Sequence, residues 1–469
     1  GEGAADADHQ PLDQQKTSGA PAGRPVPRIV VVGAGFAGLE VVKALGRAGI
    51  DVTLVDRQNH HLFQPLLYQV ATAALGAPDV AEPIRRILRG YRSVRVLFGE
   101  VTDIDWNAQH LRLEDGSLIT YDHLILATGS VPFYFGNESW EKAACGLKTI
   151  EDARHIRSQL LRAFETAERS SDPEEQRRLM TVAIIGGGPT GVELAGSIAE
   201  LSRYTLVRDF RNIRPQDTRI VLVEAGPRLL AGFDEKLSAY ALERLRKLGV
   251  TVMPGKRVED IAEGRLVVSG ETIPVGLILW AAGVAASPLA RQLQADCDRS
   301  GRLKVDECMR VRGRPNVYAL GDVAHFSDGD GTPLPGLAQV AKQQGQHLGC
   351  ALVAHVSRGS ALTPFTYRSR GNTAIIGRHS AIFEQGRFKM RNWVAWFAWA
   401  FIHVYLLIGF QNRILVSIRW LWLYLTYERG ARLISGSPAS VDRMSVNVGS
   451  EPPYQSEAAP IGPPNEQFR

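Results

Sequence analysis

Cysteine is scarce in this chain. Its 469 residues hold only 4, and Cys145, Cys297, Cys308 and Cys350 are so scattered that no two lie within ten residues. That spacing argues against a C-x-x-C redox pair, a zinc or other metal site and a disulfide framework, and it suits a reducing, cytoplasmic setting. The N-terminus lacks an apolar run. Residues 1–27 are mostly Gly, Ala, Pro, Asp and Gln, and the acids Glu2, Asp6, Asp8 and Asp13 suit neither a signal nor a transit peptide. Such a segment cannot bury enough surface to offset its ordering entropy, so disorder is expected there. Zinc-finger, RNA-binding and helix-turn-helix signatures are also missing, and no nucleic-acid partner is expected. Acidic residues are scarce in one region. Residues 368–434 carry ten Lys and Arg against two Asp and Glu, so the net charge of +5 comes from this segment while the remainder is negative. The basicity is local and marks a surface of specific use.

What the chain does have is glycine in a fixed pattern. Ile29–Val32 reads as a buried parallel strand and is followed by Gly33, Gly35 and Gly38 in G-x-G-x-x-G. An apolar-periodic helix then runs from about Phe36 to Ala48, and a second β-rich run, Asp51–Val55, ends at Asp56. Each part suits a dinucleotide. The first glycine makes the turn, the second admits the pyrophosphate and the third allows close packing, while the helix N-terminus faces the phosphates and the acid reaches a ribose hydroxyl. The pattern recurs. Gly186, Gly188, Gly191 and Glu193 lie 153 residues beyond Gly33, Gly35, Gly38 and Glu40, and the next strand, Arg219–Val223, ends in Glu224, about fifteen residues later than Asp56 would predict. The extra stretch, around Tyr204–Asp217, is polar and basic enough to be a surface excursion. Two fingerprints in one chain imply a fold binding two dinucleotides.

Other segments fit around this repeat. Residues 60–75, HHLFQPLLYQVATAAL, lead into a helix with no thiol, where two-dinucleotide disulfide reductases carry their redox cysteines; Phe63 to Tyr68 offer an apolar surface or plain core. Strands are expected at Arg95–Phe98 and His110–Leu113, with a turn at Asp115-Gly116. Tyr121–Leu126 runs into Ala127-Thr128-Gly129, and Val275–Trp280 runs into Ala281-Ala282-Gly283. Residues 168–178 read as a solvated connector. NVYALGD, residues 316–322, places Asp322 where a ribityl or phosphate oxygen can bond to it. The following helix, 337–355, carries Gln339, Gln343, His347 and Cys350 along one face, either as solvated surface or as the wall of a site.

A short β-rich return, 366–391, precedes two apolar runs. Trp393–Phe410 is eighteen residues without formal charge, Gln411-Asn412-Arg413 interrupts, and Ile414–Tyr427 resumes with only Arg419 charged. Five of the eight tryptophans fall between 393 and 422, and basic residues sit at every break. The first run only just reaches the length of a span. Positive charge at each break fits helices lying in one leaflet's interface, with a buried core or a dimer seam as the other reading. Asn412, Arg419 and Thr426 recur every seven residues as a narrow polar stripe, and the Ser-, Pro- and Gly-rich residues 435–469 read as a tail.

In combination GAGFAGLE, QPLLYQVA, GGGPTGVELAG, WAAGV, GDVA and AQVAKQ resemble the type II NADH:quinone oxidoreductases, single-subunit NADH dehydrogenases that pump no protons, over about residues 28–434. The resemblance implies an α/β fold of two Rossmann-type domains, as in glutathione reductase, with a C-terminal amphipathic helical anchor. The domains would be 28–150 and 295–367 for FAD, 151–294 for NADH and 368–434 for the membrane. By the resemblance, Gly33, Gly35, Gly38, Asp56, Thr128, Gly129 and Asp322 would hold FAD. Gly186, Gly188, Gly191 and Glu224 would hold NADH, with Glu193 and Gly283 near the nicotinamide. Gln339 and Gln343 would face the quinone, with Pro65, Leu66, Leu67 and Tyr68 nearby and Glu193 a candidate proton donor. The chain would then lie peripherally on the cytoplasmic face of the cell inner membrane through residues 391–432, as a possible homodimer using menaquinone or ubiquinone. Two alternatives are a sulfide:quinone reductase, which needs cysteines beside the flavin, and an NADH-binding flavoprotein acting as a sensor or interaction module.

Overall fold

The structure is a computed structural model and describes residues 26–434 except 330, 409 and 427; the expectations for residues 1–25 and 435–469 lie outside the described residues. Ile29–Val32 is a strand because four consecutive β-branched residues suit a sheet covered on both faces, and all four are buried. It pairs in parallel with Val52–Asp56 on one side and His123–Leu126 on the other, Val32 lying opposite Val55 and Leu126. The six-stranded sheet continues outward to Val94–Phe98 at one edge and through Arg314–Ala319 to Arg310–Val311 at the other. The helix Phe36–Arg47 covers it by burying Ala37, Leu39, Val41, Val42 and Leu45. Against that helix packs Ala338–Arg358, so closely that a Cβ on Gly345 would lie 2.2 Å from the Ala37 carbonyl oxygen.

The second fingerprint repeats this plan. Thr181–Ile185 lies in parallel between Leu277–Trp280 and Arg219–Glu224, within a five-stranded sheet completed by Val250–Pro254 and Cys145–Gly146. Each half also carries an antiparallel meander: Val101–Asp105, His110–Leu113 and Leu118–Thr120 in the first, Val258–Ala262, Arg265–Val268 and Glu271–Pro274 in the second. The sequence repeat is therefore a structural one. Directly after the two small-residue turns, Ser130–Pro132 pairs antiparallel with Val284–Ala286 and joins the halves.

Several expectations are corrected. Residues 168–178 are solvated, with no buried side chain, but they are largely helical and not a plain turn: Ile150–Arg169 runs into them, and Pro173–Leu179 is helical. Asp172 caps that second helix, Pro173 opens it, and Glu175 pairs with Arg178 one turn on. The stretch around 204–217 is more than a surface excursion, because Leu206 and Ile213 are buried and the Glu168 carboxylate accepts from the amides of Arg211, Asn212 and Ile213. The polar stripe on helix Ala338–Arg358 is neither plain solvated surface nor simply a site wall, since it ties down the chain that returns alongside. Gln339 binds Gly371 and Arg370, Gln343 binds Arg368, and His347 meets the Thr363 carbonyl.

The return itself forms Asn372–Gly377, Ser380–Gln385 and Phe388–Arg391, with a turn at Gln385-Gly386 between the last two. Two helices follow, Asn392–Leu406 and Phe410–Thr426, so the first ends ahead of Gln411. No helix among the described residues is long and apolar enough to cross a membrane. These helices also belong to the core. Ala395, Trp399, Val416 and Trp420 pack into the cluster that contains Val192, Ile198 and Leu222 of the second nucleotide half. Of their polar residues, Asn412 is buried and donates to Glu82, while the half-exposed Arg419 pairs with the buried Asp79. Thr426 is exposed and bonds back to the Trp422 carbonyl. The opposite face carries Trp393, Phe397, Phe401 and Tyr405, and Ile418, Leu421, Trp422 and Leu425, all exposed.

Candidate functional site

A continuous cleft of about 1860 Å³ runs along both fingerprints. That is well beyond the several hundred Å³ of a single small-molecule pocket. Gly33 and Gly186 turn the chain at its edge with φ of +101° and +108°, and a Cβ on either would lie within 2.4 Å of a carbonyl oxygen, that of Ala127 or Ala281. Only glycine fits there. At Gly35 and Gly188 the opposite holds: a Cβ would meet nothing within 4 Å, because both positions border open cleft. The third glycines, Gly38 and Gly191, let each helix sit on its own loop, where a Cβ would be 1.9 Å or less from the carbonyl oxygen of Gly33 or Gly186.

The two acids take the same position in both halves. Asp56 accepts from the Ala34 amide at 2.6 Å and the Gln58 amide at 2.7 Å. Glu224 accepts from the Gly187 amide at 2.6 Å and the Gly226 amide at 2.5 Å. Each carboxylate therefore pins its glycine loop while lining the cleft. Burial raises the Asp56 pKa, and the two amide bonds oppose that rise.

Three helices begin in the cleft, at Phe36, Pro189 and Ala338, and none has a side-chain cap. Of the other helices, those after Thr149 (which also lines the cleft), Asp172 and Asp234 carry side-chain caps, while Glu138–Ala143 and Asn392–Leu406 do not. Uncapped N–H groups and a positive dipole end are what an anionic ligand satisfies. A second sign of a missing partner is the Thr128 hydroxyl, buried in the cleft wall with no hydrogen bond. These features fit a bound dinucleotide in the first half.

Asp322 enters the cleft from the end of Arg314–Ala319. Its carboxylate accepts from the Ser130 hydroxyl at 2.6 Å, and the Lys148 ammonium reaches Ser130 at 2.9 Å and Asp322 at 3.9 Å. Burial lowers the Lys148 pKa, and Asp322 counters that. Ser130 and Lys148 escape sequence reasoning, since neither belongs to a motif and Ser130 is 192 residues from its partner.

The remaining candidates separate. Glu193, Gln339, Gln343 and Pro65 line the cleft, as does Gly129. Leu66 and Leu67 do not; both are fully buried in the core, because the short turn Gln64–Leu66 directs them inward. Tyr68 is buried beside a second, smaller cavity. Gly283 sits against Phe135, and its carbonyl accepts from the Phe133 amide. Burial without a compensating cation raises the Glu193 carboxyl to about 8, opposed by the Ile375 amide at 3.5 Å. At the far end the cleft is walled by Phe401, Ile402, Tyr405, Leu406 and Ile408, from the first C-terminal helix and the break after it. His403 lies there as well. It bonds the Trp399 carbonyl at 2.8 Å, and burial lowers its pKa to about 4, so it is neutral. None of the four cysteines lines the cleft, and all are free.

The chain matches the pyridine nucleotide-disulphide oxidoreductase family over residues 27–345. It is 40% identical to a type II NADH:quinone oxidoreductase, NdhA, of Mycobacterium tuberculosis, over 87% of this chain and 89% of that one. It is 38% identical to a second such protein of that organism, Ndh, over 88% and 91%. In three dimensions it is similar to NDH2 from Plasmodium falciparum in complex with NADH, with a TM-score of 0.80 at 21% identity, covering 88% of this chain and 100% of that one.

Proposed function

The chain belongs to the type II NADH:quinone oxidoreductases, and from that premise we propose how its own residues divide the work of oxidising NADH and reducing a quinone. FAD, when bound, accepts the hydride and passes the electrons on, which leaves the protein to bind, orient and set the electrostatics. The Gly33–Gly38 loop and its helix N-terminus take the FAD pyrophosphate, Asp56 takes a ribose hydroxyl, and Thr128, Gly129 and Asp322, with Lys148 beside it, hold the middle of the cofactor. The start of Ala338–Arg358 offsets negative charge on the group it faces. In the second half the Gly186–Gly191 loop and Glu224 bind NADH, and Glu193 stands on the same helix, one turn in.

The quinone enters between the apolar residues at the far end of the cleft. Continuity carries this reading: one cavity extends from both glycine loops to Phe401 and Tyr405, which are themselves part of the exposed aromatic face. A lipid-soluble acceptor can pass from a bilayer into such a mouth. We place that face in the interface of the cytoplasmic side of the cell inner membrane, as a monotopic attachment with the flanking basic residues toward lipid headgroups. A homodimer fits this placement if its seam leaves the aromatic face open to lipid; mass measurement in detergent tests that. Gln339 and Gln343 shape the pocket by fixing residues 368–371 along its wall. The sulfide:quinone alternative is disfavoured by the absence of any cysteine from the cleft wall and by the complete second fingerprint.

Anaerobic mixing of the flavin-loaded protein with NADH and then with quinone, followed by flavin absorbance, tests the reading. Bleaching by NADH and recovery with quinone are expected. Bleaching without recovery leaves an NADH-binding flavoprotein and rejects the quinone assignment.

A further inference from the structure

Four cations from separate segments line the cleft and converge on one point in it. They are Lys43 of Phe36–Arg47, Lys342 of Ala338–Arg358, Arg370 of the returning chain and Arg413 near the start of the last helix. The partly buried Lys342 ammonium registers the others. Burial lowers its pKa, Glu40 opposes that, and Lys43, Arg370 and Arg413 lower it further. The acid is already engaged at both oxygens, by the Lys43 ammonium at 3.3 Å and the Gln346 amide at 2.9 Å. Among the described residues the Lys342 ammonium and the Arg370 guanidinium have neither a hydrogen bond nor an ion pair. Arg413 uses its Nε alone, on the Leu407 carbonyl at 2.8 Å. Like charges held close repel one another, and an anion seated among them removes that cost. Two observations identify the anion's surroundings. The Arg413 guanidinium lies 5.8 Å from the Tyr405 ring, and Tyr405 and Phe401 belong both to the cleft wall and to the exposed aromatic face. The chain around that face carries no acidic residue from 385 to 427.

We propose that this cluster seats the phosphate of one anionic phospholipid at the mouth of the cleft, between Lys342, Arg370 and Arg413, with its acyl chains along Phe401 and Tyr405. The inference rests on the reading of the aromatic face as the one that meets lipid. A phosphodiester brings one negative charge and two unesterified oxygens, which accept from an ammonium and from guanidinium groups. A choline headgroup carries its own cation into the cluster and is repelled, whereas a glycerol headgroup is not. Inorganic phosphate shares the charge but leaves the two aromatic rings uncovered. Lys43 stands seven residues, about 10 Å, beyond the start of its helix, so the cluster is separate from the N-terminal turn assigned to the FAD pyrophosphate. The seat differs from the general attraction of a basic flank to a membrane. It lies within the cleft, it draws on both helices of the first nucleotide half, and it takes a single lipid.

The test uses monomeric lipid, so that a charged membrane surface plays no part. The flavin-loaded enzyme in neutral detergent is titrated with dihexanoyl-phosphatidylglycerol and followed by calorimetry. Saturable one-to-one binding is expected, and it should persist when NADH is present. Dihexanoyl-phosphatidylcholine and inorganic phosphate should each bind more weakly by about tenfold or more, the scale of one lost charged hydrogen bond. Lys342→Gln/Arg413→Gln should weaken phosphatidylglycerol binding by at least as much, and Lys342→Glu alone carries the same expectation if the double variant fails to fold. Arg387→Gln/Arg391→Gln removes the same charge in and beside the exposed strand Phe388–Arg391, and it should bind as wild type does. Equal binding of the choline lipid, displacement by NADH, or equal weakening by the two double variants overturns the proposal. Inorganic phosphate binding as tightly as the lipid overturns it as well, in favour of a free-anion site. Wild-type enzyme that pellets with no liposome, of phosphatidylcholine alone or in equal mixture with phosphatidylglycerol, overturns the membrane reading instead.

Discussion

Glu224→Gln should collapse the preference for NADH over NADPH. The carboxylate ends its strand in the cleft wall with its two oxygens bound to the amides of Gly187 and Gly226. A 2′-phosphate brought to that position meets a like charge. At about 5 Å and an effective dielectric near 20, the repulsion is about 3 kcal/mol per unit charge, and solvent in an open cleft roughly halves it. About 1.4 kcal/mol is a tenfold preference, so the wild-type kcat/KM for NADH should exceed that for NADPH by about tenfold or more. Glutamine removes the charge, and it also turns an NH₂ toward one of the two amides, leaving donor against donor at a cost of about 1–3 kcal/mol. Efficiency with NADH should therefore fall about tenfold or more, efficiency with NADPH should fall less or rise, and their ratio should drop toward one. The assay is steady-state kcat/KM for both nucleotides at fixed quinone, repeated at high salt, where the wild-type preference should shrink. A ratio that is the same in wild type and variant would refute the assignment of Glu224.

Three further expectations come from the same geometry. Gln339→Ala loses its bonds to Gly371 and Arg370, each worth about 0.5–1.5 kcal/mol, so stopped flow should show normal bleaching by NADH and several-fold slower reoxidation by quinone; unaltered reoxidation removes Gln339 from the acceptor side. Replacing Phe397, Phe401 and Leu425 with Ser, all on the exposed face, should release the protein from liposomes with FAD still bound, whereas deleting residues 392–434 should unfold it, because Trp399 and Trp420 are core; continued pelleting of the triple variant would show that this face does not meet lipid. Glu193→Gln should stabilise the fold increasingly as pH rises from about 4.5 to about 8, since a carboxyl raised to about 8 by burial holds a proton that the unfolded chain has already released; the gap in thermal midpoint should be small near pH 4 and largest above pH 8, and a gap independent of pH contradicts the buried, protonated Glu193.

The nucleotide-binding parts were legible because they are local. A glycine loop, the strand before it and the helix after it occupy some twenty consecutive residues, and the sterics at Gly33 and Gly186 leave no other residue type. The acids Asp56 and Glu224 follow at the end of the next strand, so spacing alone located them, and the 153-residue repeat announced two halves. Family resemblance then supplied the chemistry. Tertiary structure decided what depends on distant segments meeting. Ser130, Lys148 and Asp322 come from three places, and only the sheet brings them together. The glutamine stripe had two equal readings in one dimension, and the backbone that binds it, 363–371, lies outside its helix. In the C-terminal helices apolar residues go nearly all the way round, and the one narrow polar stripe, Asn412, Arg419 and Thr426, does not say whether it faces in or out. Packing settled it, with Trp399, Asn412 and Trp420 inward and Phe401 and Leu425 outward. A helix that is apolar on nearly every side carries little instruction about which one to bury, and that choice was made by the residues waiting to receive it, Asp79, Glu82 and Gln69, more than three hundred positions earlier.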